Sequence, residues 1–109
     1  MTSNAHTTRA DSAPGIGWTF LTNHAHILLA ISAEPDLRIR DVAERVGITE
    51  RAAQRIVADL VESGYIEARR EGRRNHYSIH PEQPLRHPAE QHHQIGELLT
   101  VLAHRRHGE

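Results

Sequence analysis

The chain has no cysteine and no lysine, and only four of its 109 residues are aromatic. Without cysteine it can form neither a disulfide nor a zinc site with thiolate ligands. No apolar run approaches the roughly 20 residues that a membrane-spanning helix needs. The N-terminal residues 1–17 also lack the apolar stretch of a secretory signal. These absences predict a cytoplasmic protein that makes no contact with a membrane.

The chain also lacks an excess of charge of one sign. Its formal net charge is −1 with neutral histidines, whereas nucleic-acid-binding proteins usually carry a basic excess. Any binding to nucleic acid must therefore depend on local charge. All 13 basic residues are arginine, a side chain suited to phosphate and guanine, although a GC-rich genome would give the same bias.

Composition and pattern divide the chain into four segments. Residues 1–17 are small and polar, with proline and glycine, and predict a flexible tail. Residues 18–80 carry the periodic patterns of one small folded domain. Residues 81–88 contain three prolines and indicate an extended connector, and residues 89–109 contain a last helix.

The first two helices of the folded domain are delimited by local signals. Thr22 is a plausible N-cap for a helix that Pro35 ends. Residues 37–39 alternate apolar and polar side chains, which suits a very short strand. From Arg40 or Asp41 a second helix begins, and Gly47 provides its left-handed C-terminal residue.

A third helix and a hairpin follow. Thr49 caps a helix over residues 49–63, which a glycine ends, and residues 65–69 and 76–79 alternate as two strands around an arginine-rich turn. This order predicts a mainly α fold with a small β-hairpin wing, a winged helix-turn-helix with a C-terminal dimerisation helix.

The helix over residues 49–63 has the two faces that a DNA-recognition helix needs. One face is apolar, and the opposite face carries polar side chains near the N-terminal half. A major groove about 12 Å wide accepts one helix, where arginine can bind guanine and glutamine can bind adenine. Its N-terminus can hold a phosphate. The predicted DNA contacts of this region are Arg40, Thr49, Glu50, Arg51, Gln54 and Arg55. Ordinary solvated surface is the competing interpretation.

The hairpin supplies a second predicted contact. Residues 69–75 contain four arginines and one glutamate, a local charge of +3. Such a wing, residues 69–76, would meet phosphates or a minor groove. The predicted contacts here are Arg69, Arg73, Arg74 and Asn75.

The stretch IRDVAERVGITERAAQRIVADLVESGYIEARREGRRNHYSI resembles the winged helix-turn-helix of the ArsR and MarR-type bacterial transcription regulators. In those families DVAERVGIT is the first helix and turn, ERAAQRIVADL is the recognition helix, and YIEARREGRRNHYSI is the wing. The resemblance covers about residues 22–79. It implies a sequence-specific regulator of transcription, most simply a repressor, that binds double-stranded DNA as a homodimer. It identifies neither the operator nor the regulated genes.

The last helix is predicted to run from about Ala89 to His104 and to form the dimer interface. Its apolar residues recur at the spacing of one narrow helical face, which suits pairing with another helix. Burial of this face in the chain's own core is the competing interpretation. The predicted interface residues are Ile95, Leu98, Leu99 and Leu102.

The ten histidines raise the alternative of a metal-sensing repressor. Zinc-sensing ArsR-type repressors carry Asp-x-His, ten residues, and His-x-x-His/Glu on their final helix. His93, His104 and His107 match three of these positions, but Gln91 stands where the pattern has aspartate. Because a closed zinc site needs four ligands, we expect no metal and no cofactor, with these three histidines as the alternative.

The sequence also bears on two other classes of function. A winged helix can contact an acidic protein partner instead of DNA, and the arginines fit that alternative too. An enzyme is not expected, because the sequence has no cysteine nucleophile, no phosphate-binding glycine loop and no evident pair of clustered carboxylates. The sequence does not indicate whether a small molecule or metal acts as effector.

Overall fold

Helices are the main secondary structure of the chain, and one hairpin projects from them. A computed structural model describes residues 17–104, with side chains to residue 102. Within that range the chain forms four helices and one antiparallel hairpin, so the predicted winged helix fold is confirmed. The elements are α1 (Asn23–Ala33), α2 (Ile39–Val46), α3 (Glu50–Glu62), β1 (Ile66–Glu71), β2 (Arg74–Ile79) and α4 (Ile95–His104).

Helix α1 forms the centre of the helical layer, in contact with α2, α3 and α4. The Thr22 hydroxyl accepts a hydrogen bond from the Ala25 N–H at 3.3 Å, which confirms Thr22 as the N-cap. The helix ends at Ala33, two residues before Pro35. Its fully buried side chains, Ile27 and Ile31 among them, lie one turn apart and anchor the core.

Helices α2 and α3 are joined by a short turn at a glycine. Gly47 has φ +92°, in the left-handed region, and its N–H donates to the Ala43 carbonyl at 2.8 Å. The Thr49 hydroxyl then caps α3 by accepting from the Ala52 N–H at 3.0 Å. Both predicted boundaries are confirmed.

Helix α3 presents an apolar face to the core and a polar face to solvent. Ala53, Val57 and Leu60 are buried at the spacing i, i+4, i+7, which places them on one side of the helix. These side chains complete a core with α1, α2 and the base of the hairpin, where Ile66 is 2% exposed.

The predicted strand over residues 37–39 is wrong, because α2 already begins at Ile39. The Leu37 N–H donates to the Glu34 carbonyl in a turn, and Pro35 has no N–H to donate. A single backbone bond joins the segment to the hairpin, from the Tyr77 N–H to the Pro35 carbonyl at 3.1 Å. The loop therefore lies beside β2 without forming a ladder.

The hairpin pairs β1 with β2 from Ile66↔Ile79 at its base to Glu71↔Arg74 at its tip. Gly72, with φ +67°, occupies the turn. Ile66 and Tyr77 are buried at the base, whereas residues 67–75 are exposed. The hairpin is therefore anchored at one end and projects from the helices at the other.

The proline-containing connector is folded back on the chain rather than extended as predicted. The Gln83 amide donates to the Ser63 carbonyl at 2.9 Å, and the Tyr65 hydroxyl donates to the Pro84 carbonyl at 2.5 Å. These bonds hold the connector against the end of α3. Burial raises the pKa of Tyr65, and the Arg86 charge opposes that shift.

The last helix begins at Ile95, so its predicted start near Ala89 is wrong. Residues 88–92 form turns. The Gln94 N–H donates to a Glu97 carboxylate oxygen at 3.0 Å. Glu97 thus accepts a bond from the residue before the helix, as the glutamate of a capping box does. Ile95 and Leu99 are buried in the chain's own core. This supports the competing interpretation for two of the four predicted interface residues.

None of the helices in residues 17–104 combines the length and apolar character that crossing a bilayer requires. The predicted flexible tail, but for residue 17, lies outside the described residues, as does the end of the chain after residue 104.

Candidate nucleic-acid interface

The exposed face of α3 carries the predicted base-reading side chains together. Arg51, Gln54 and Arg55 are all exposed, and their spacing of i, i+3, i+4 places them on one side of the helix. Neither arginine makes a hydrogen bond or an ion pair with another described residue. Their guanidinium groups are thus available to an external acceptor.

The groups at the start of α3 are less available to a phosphate than the sequence suggests. Thr49 is exposed, but its hydroxyl oxygen already accepts from the Ala52 N–H. Its O–H remains able to donate to a phosphate. Glu50 is exposed in the first turn. Its negative charge interacts favourably with the helix dipole but repels a phosphate bound nearby. Thr49 therefore acts first as a cap.

The arginines of the wing differ in whether their side chains already make hydrogen bonds. Arg69, Arg73 and Asn75 are exposed, and Arg73 bonds to no other described residue. Arg74 instead donates to the Asp36 carbonyl at 2.7 Å. Arg74 is therefore held against the loop between α1 and α2, a contact between residues 38 positions apart that no local pattern reveals.

Two arginines near the predicted site were absent from the predicted contacts. Arg70 is exposed on β1, where its Nε donates to the Gly72 carbonyl at 3.3 Å. Arg38 is exposed at the N-cap of α2 and makes no capping bond with its side chain. The dense arginine run could have indicated Arg70. Arg38 was assigned to a strand, which obscured its position.

A cleft of about 190 Å³ joins the start of α2 to the wing. It brings Arg38 beside Arg73 and Arg74, and its remaining lining comes from residues 36–39, Asn75 and Tyr77. Arg40 is exposed one position into α2. The tertiary structure thus extends the positive surface of the wing onto the start of α2.

A larger cavity of about 740 Å³ lies at the other end of α3. Residues of α1, α3 and α4 line it together with part of the segment 85–90, and apolar side chains such as Leu28 and Leu98 alternate there with polar and charged ones. At its edge His24 and Asp59 are 2.9 Å apart. This cavity is separate from the arginines of the N-terminal half of α3.

The exposed side of α4 differs from the predicted one. Leu98, Val101 and Leu102 share a face at i, i+3, i+4, with Val101 70% exposed and both leucines half-buried. Near the start of the described chain, Trp18 and Phe20 are exposed, with ring centroids 4.9 Å apart. Trp18 and Phe20 are the largest exposed apolar side chains in the described part of the chain.

The histidines of the metal alternative are only partly described. His93 precedes α4, and its Nδ1 lies 2.7 Å from a Glu97 carboxylate oxygen. The bonds to Gln94 and His93 lower the pKa of Glu97. The His104 side chain and the whole of His107 lie outside the described residues, so this ligand set stays a prediction.

Comparison with known families identifies a match over the folded part of the chain. The model of the MarR family matches residues 18–74, more than half of the chain. The match spans α1, α2, α3 and β1, and it ends at the first residue of β2. No curated protein is similar in sequence to the chain.

Proposed function

Because the chain belongs to the MarR family, whose members are DNA-binding transcription regulators, we propose that it is a sequence-specific repressor. It binds double-stranded DNA as a homodimer. Helix α3 occupies the major groove, and the wing contacts phosphates or a minor groove. The half-sites of such a dimer lie about one helical turn apart.

The observation that carries this proposal is the polar face of α3. Its arginines are exposed and free of partners among the described residues, whereas the opposite face is buried in the core. Arg51 and Arg55 can each donate two hydrogen bonds to guanine, and Gln54 can bind adenine.

The homodimer rests on the uncovered apolar side chains. On one face of α4, exposed Val101 lies between the half-buried Leu98 and Leu102. Exposed Trp18 and Phe20 supply aromatic groups of the kind enriched in interfaces. We exclude Ile95 and Leu99 from the interface because their side chains are already buried.

Selection of bound sequences from a random DNA pool tests both parts of the proposal, since a dimer selects two related half-sites. Arg51→Ala and Arg55→Ala should each weaken binding to the selected site by about 1–3 kcal/mol and relax base preference at one position of each half-site. Binding is measured by fluorescence anisotropy at stated salt concentrations.

Arg86→Ala is the matched control. Arg86 also carries one positive charge, but it donates to the Ser63 hydroxyl beside the C-terminal end of α3. Its removal should change affinity much less than removal of Arg51. Absence of DNA binding at low salt would reject the proposal and favour the alternative of a winged helix that binds an acidic protein.

A further inference from the structure

Three metal-binding side chains meet where the wing contacts the loop between α1 and α2. They are Asp36 on the loop, Glu71 at the end of β1 and His76 on β2. Each offers one ligand atom, and these atoms all lie within 4.8 Å of one another. The closest pair is His76 Nδ1 and Asp36 Oδ1, at 2.6 Å.

The hairpin register accounts for the wing's share of this cluster. Glu71 pairs with Arg74, and His76 pairs with Arg69. Because alternate residues of a strand share a face, Glu71 and His76 are diagonal neighbours on the same face of the hairpin. Their separation is thus set by the backbone.

Two further bonds hold the loop beside β2. The Tyr77 N–H donates to the Pro35 carbonyl at 3.1 Å, and Arg74 donates to the Asp36 carbonyl at 2.7 Å. Neither bond uses a ligand atom of the cluster. The backbone that carries Asp36 is therefore positioned independently, and its carboxylate is left to face His76.

We propose that Asp36, Glu71 and His76 bind a zinc ion. Imidazole and carboxylate are both zinc ligands, at about 2.0–2.2 Å, and three protein ligands with one water complete a tetrahedral site. Magnesium and calcium prefer oxygen ligands throughout, so the imidazole selects against them. The carboxylates are exposed, so side-chain rotation can bring the ligand atoms to the separation of about 3.3 Å that a tetrahedral zinc requires.

The positive charges around the proposed site should lower its affinity for zinc. The two carboxylates balance the charge of the ion, but Arg69 and Arg74 share the same face of the hairpin and add positive charge beside it. We therefore expect weaker binding than at a closed structural site with four protein ligands. The site is also distinct from the histidines at and beyond α4.

Zinc would affect the wing in two ways. It would fasten the wing to the α1–α2 loop through three ligands, and it would neutralise two carboxylates beside the arginines of the wing. The second effect would favour the approach of DNA phosphates. This consequence rests on the proposed DNA binding, whereas zinc binding itself does not.

Isothermal titration of the full chain with Zn²⁺ tests the site without DNA. His76→Gln should lower the affinity of the tightest site by tenfold or more, since even outer-shell changes cost about 10–100-fold. His93→Gln is the matched control, because His93 also pairs with a carboxylate but lies outside the cluster. Titration with Co²⁺ should give the visible absorption of a four-coordinate site in the wild type and not in His76→Gln.

Asp36→Asn provides an independent variant in case His76→Gln fails to fold, as judged by circular dichroism. It should also lose tenfold or more in zinc affinity. Equal affinity of the wild type and both cluster variants would overturn the proposal, as would a wild type that binds no zinc. Loss of the tightest site in His93→Gln alone would place the metal near α4 and equally reject the proposal.

Discussion

Single residues set the boundaries of the helices that carry the candidate interface. Thr22 and Thr49 cap α1 and α3 with their hydroxyls, and Gly47 ends α2 in a left-handed conformation. Each of these was predictable because a cap depends on a side chain and backbone groups within three or four residues. Local chemistry decides local boundaries.

Gly47→Ala tests the turn that joins α2 to α3. A residue with a Cβ at φ +92° is strained by about 1–2 kcal/mol, so the variant should lose that much free energy of unfolding in urea denaturation. Glu44→Ala, an exposed change on the same helix, should stay within about 0.5 kcal/mol of the wild type. Equal stability of Gly47→Ala and the control would contradict a required left-handed residue.

The partners of individual polar side chains could not be predicted in the same way. The sequence identified Arg74 as a wing residue, but not its bond to the Asp36 carbonyl 38 positions earlier. It also gave no sign that Asp36 would face His76. These contacts depend on how the loop packs against the hairpin, which no local pattern encodes.

At the scale of whole elements, amphipathic pattern predicted α3 and the hairpin well. The buried side of α3 agrees with the period of 3.6. The two strands pair where the sequence predicts them, but their burial does not alternate, because only the base of the hairpin, at Ile66 and Tyr77, reaches the core. Elements of only a few residues were less predictable. Residues 37–39 alternate like a strand, but Ile39 begins α2, and a single backbone bond, from the Tyr77 N–H to the Pro35 carbonyl, joins the preceding loop to β2.

The start of α4 was mispredicted for a related reason. Residues 89–94 contain no helix-breaking residue, yet residues 88–92 form turns and the helix begins only at Ile95. The Ile95 N–H donates to the Gln83 carbonyl at 2.8 Å, and the Leu85 N–H donates to the His93 carbonyl at 3.0 Å. Tertiary bonds to the connector therefore compete with continued helix in this segment.

Glu97→Gln tests the carboxylate that begins α4. The bonds to the Gln94 N–H and to His93 lower the pKa of Glu97 in the folded chain. Its ionised form therefore stabilises the fold above the ordinary carboxyl pKa, and this stabilisation is lost as pH falls through the folded pKa. Urea denaturation from pH 7 to roughly pH 3 should show a smaller loss of stability for Glu97→Gln than for the wild type.

Glu62→Gln is the control for this titration, because Glu62 is exposed near the end of α3 and takes no part in the bonds at the start of α4. It should follow the wild type across the same pH range. Identical pH profiles for Glu97→Gln and the wild type would mean that the Glu97 carboxylate contributes nothing to the helix start.

For the molecule as a whole, the exposed side of α4 determines whether two copies can associate. The predicted face combined residues that the structure separates: Ile95 and Leu99 pack inward, and Leu98 and Leu102 are half-buried beside exposed Val101. A leucine-rich helix face can pack either into the core of its own chain or against a second copy of the chain. The position of α1, which contacts α4, and the bonds of the connector to the start of α4 decide which side of α4 is covered.

Val101→Glu tests the proposed homodimer. A charge at the centre of an apolar interface should raise the dimer dissociation constant by about tenfold or more, equivalent to about 1.4 kcal/mol. Sedimentation velocity across a range of protein concentrations measures this change. Val61→Glu places the same charge at an exposed valine of α3, outside the proposed interface, and should leave the dissociation constant unchanged. An unchanged value for Val101→Glu would exclude α4 from the interface.

The sequence by itself determined the winged helix order, the helix caps and the side chains that form the polar face of α3. These features depend on residue periodicity and on hydrogen bonds within a few positions, so each is determined by the short stretch of sequence that contains it. The tertiary structure decided the bond of Arg74 to the loop, the meeting of Asp36, Glu71 and His76, and the side of α4 left exposed. Each of these depends on segments distant in sequence, whose relative positions are fixed only when the shared core forms.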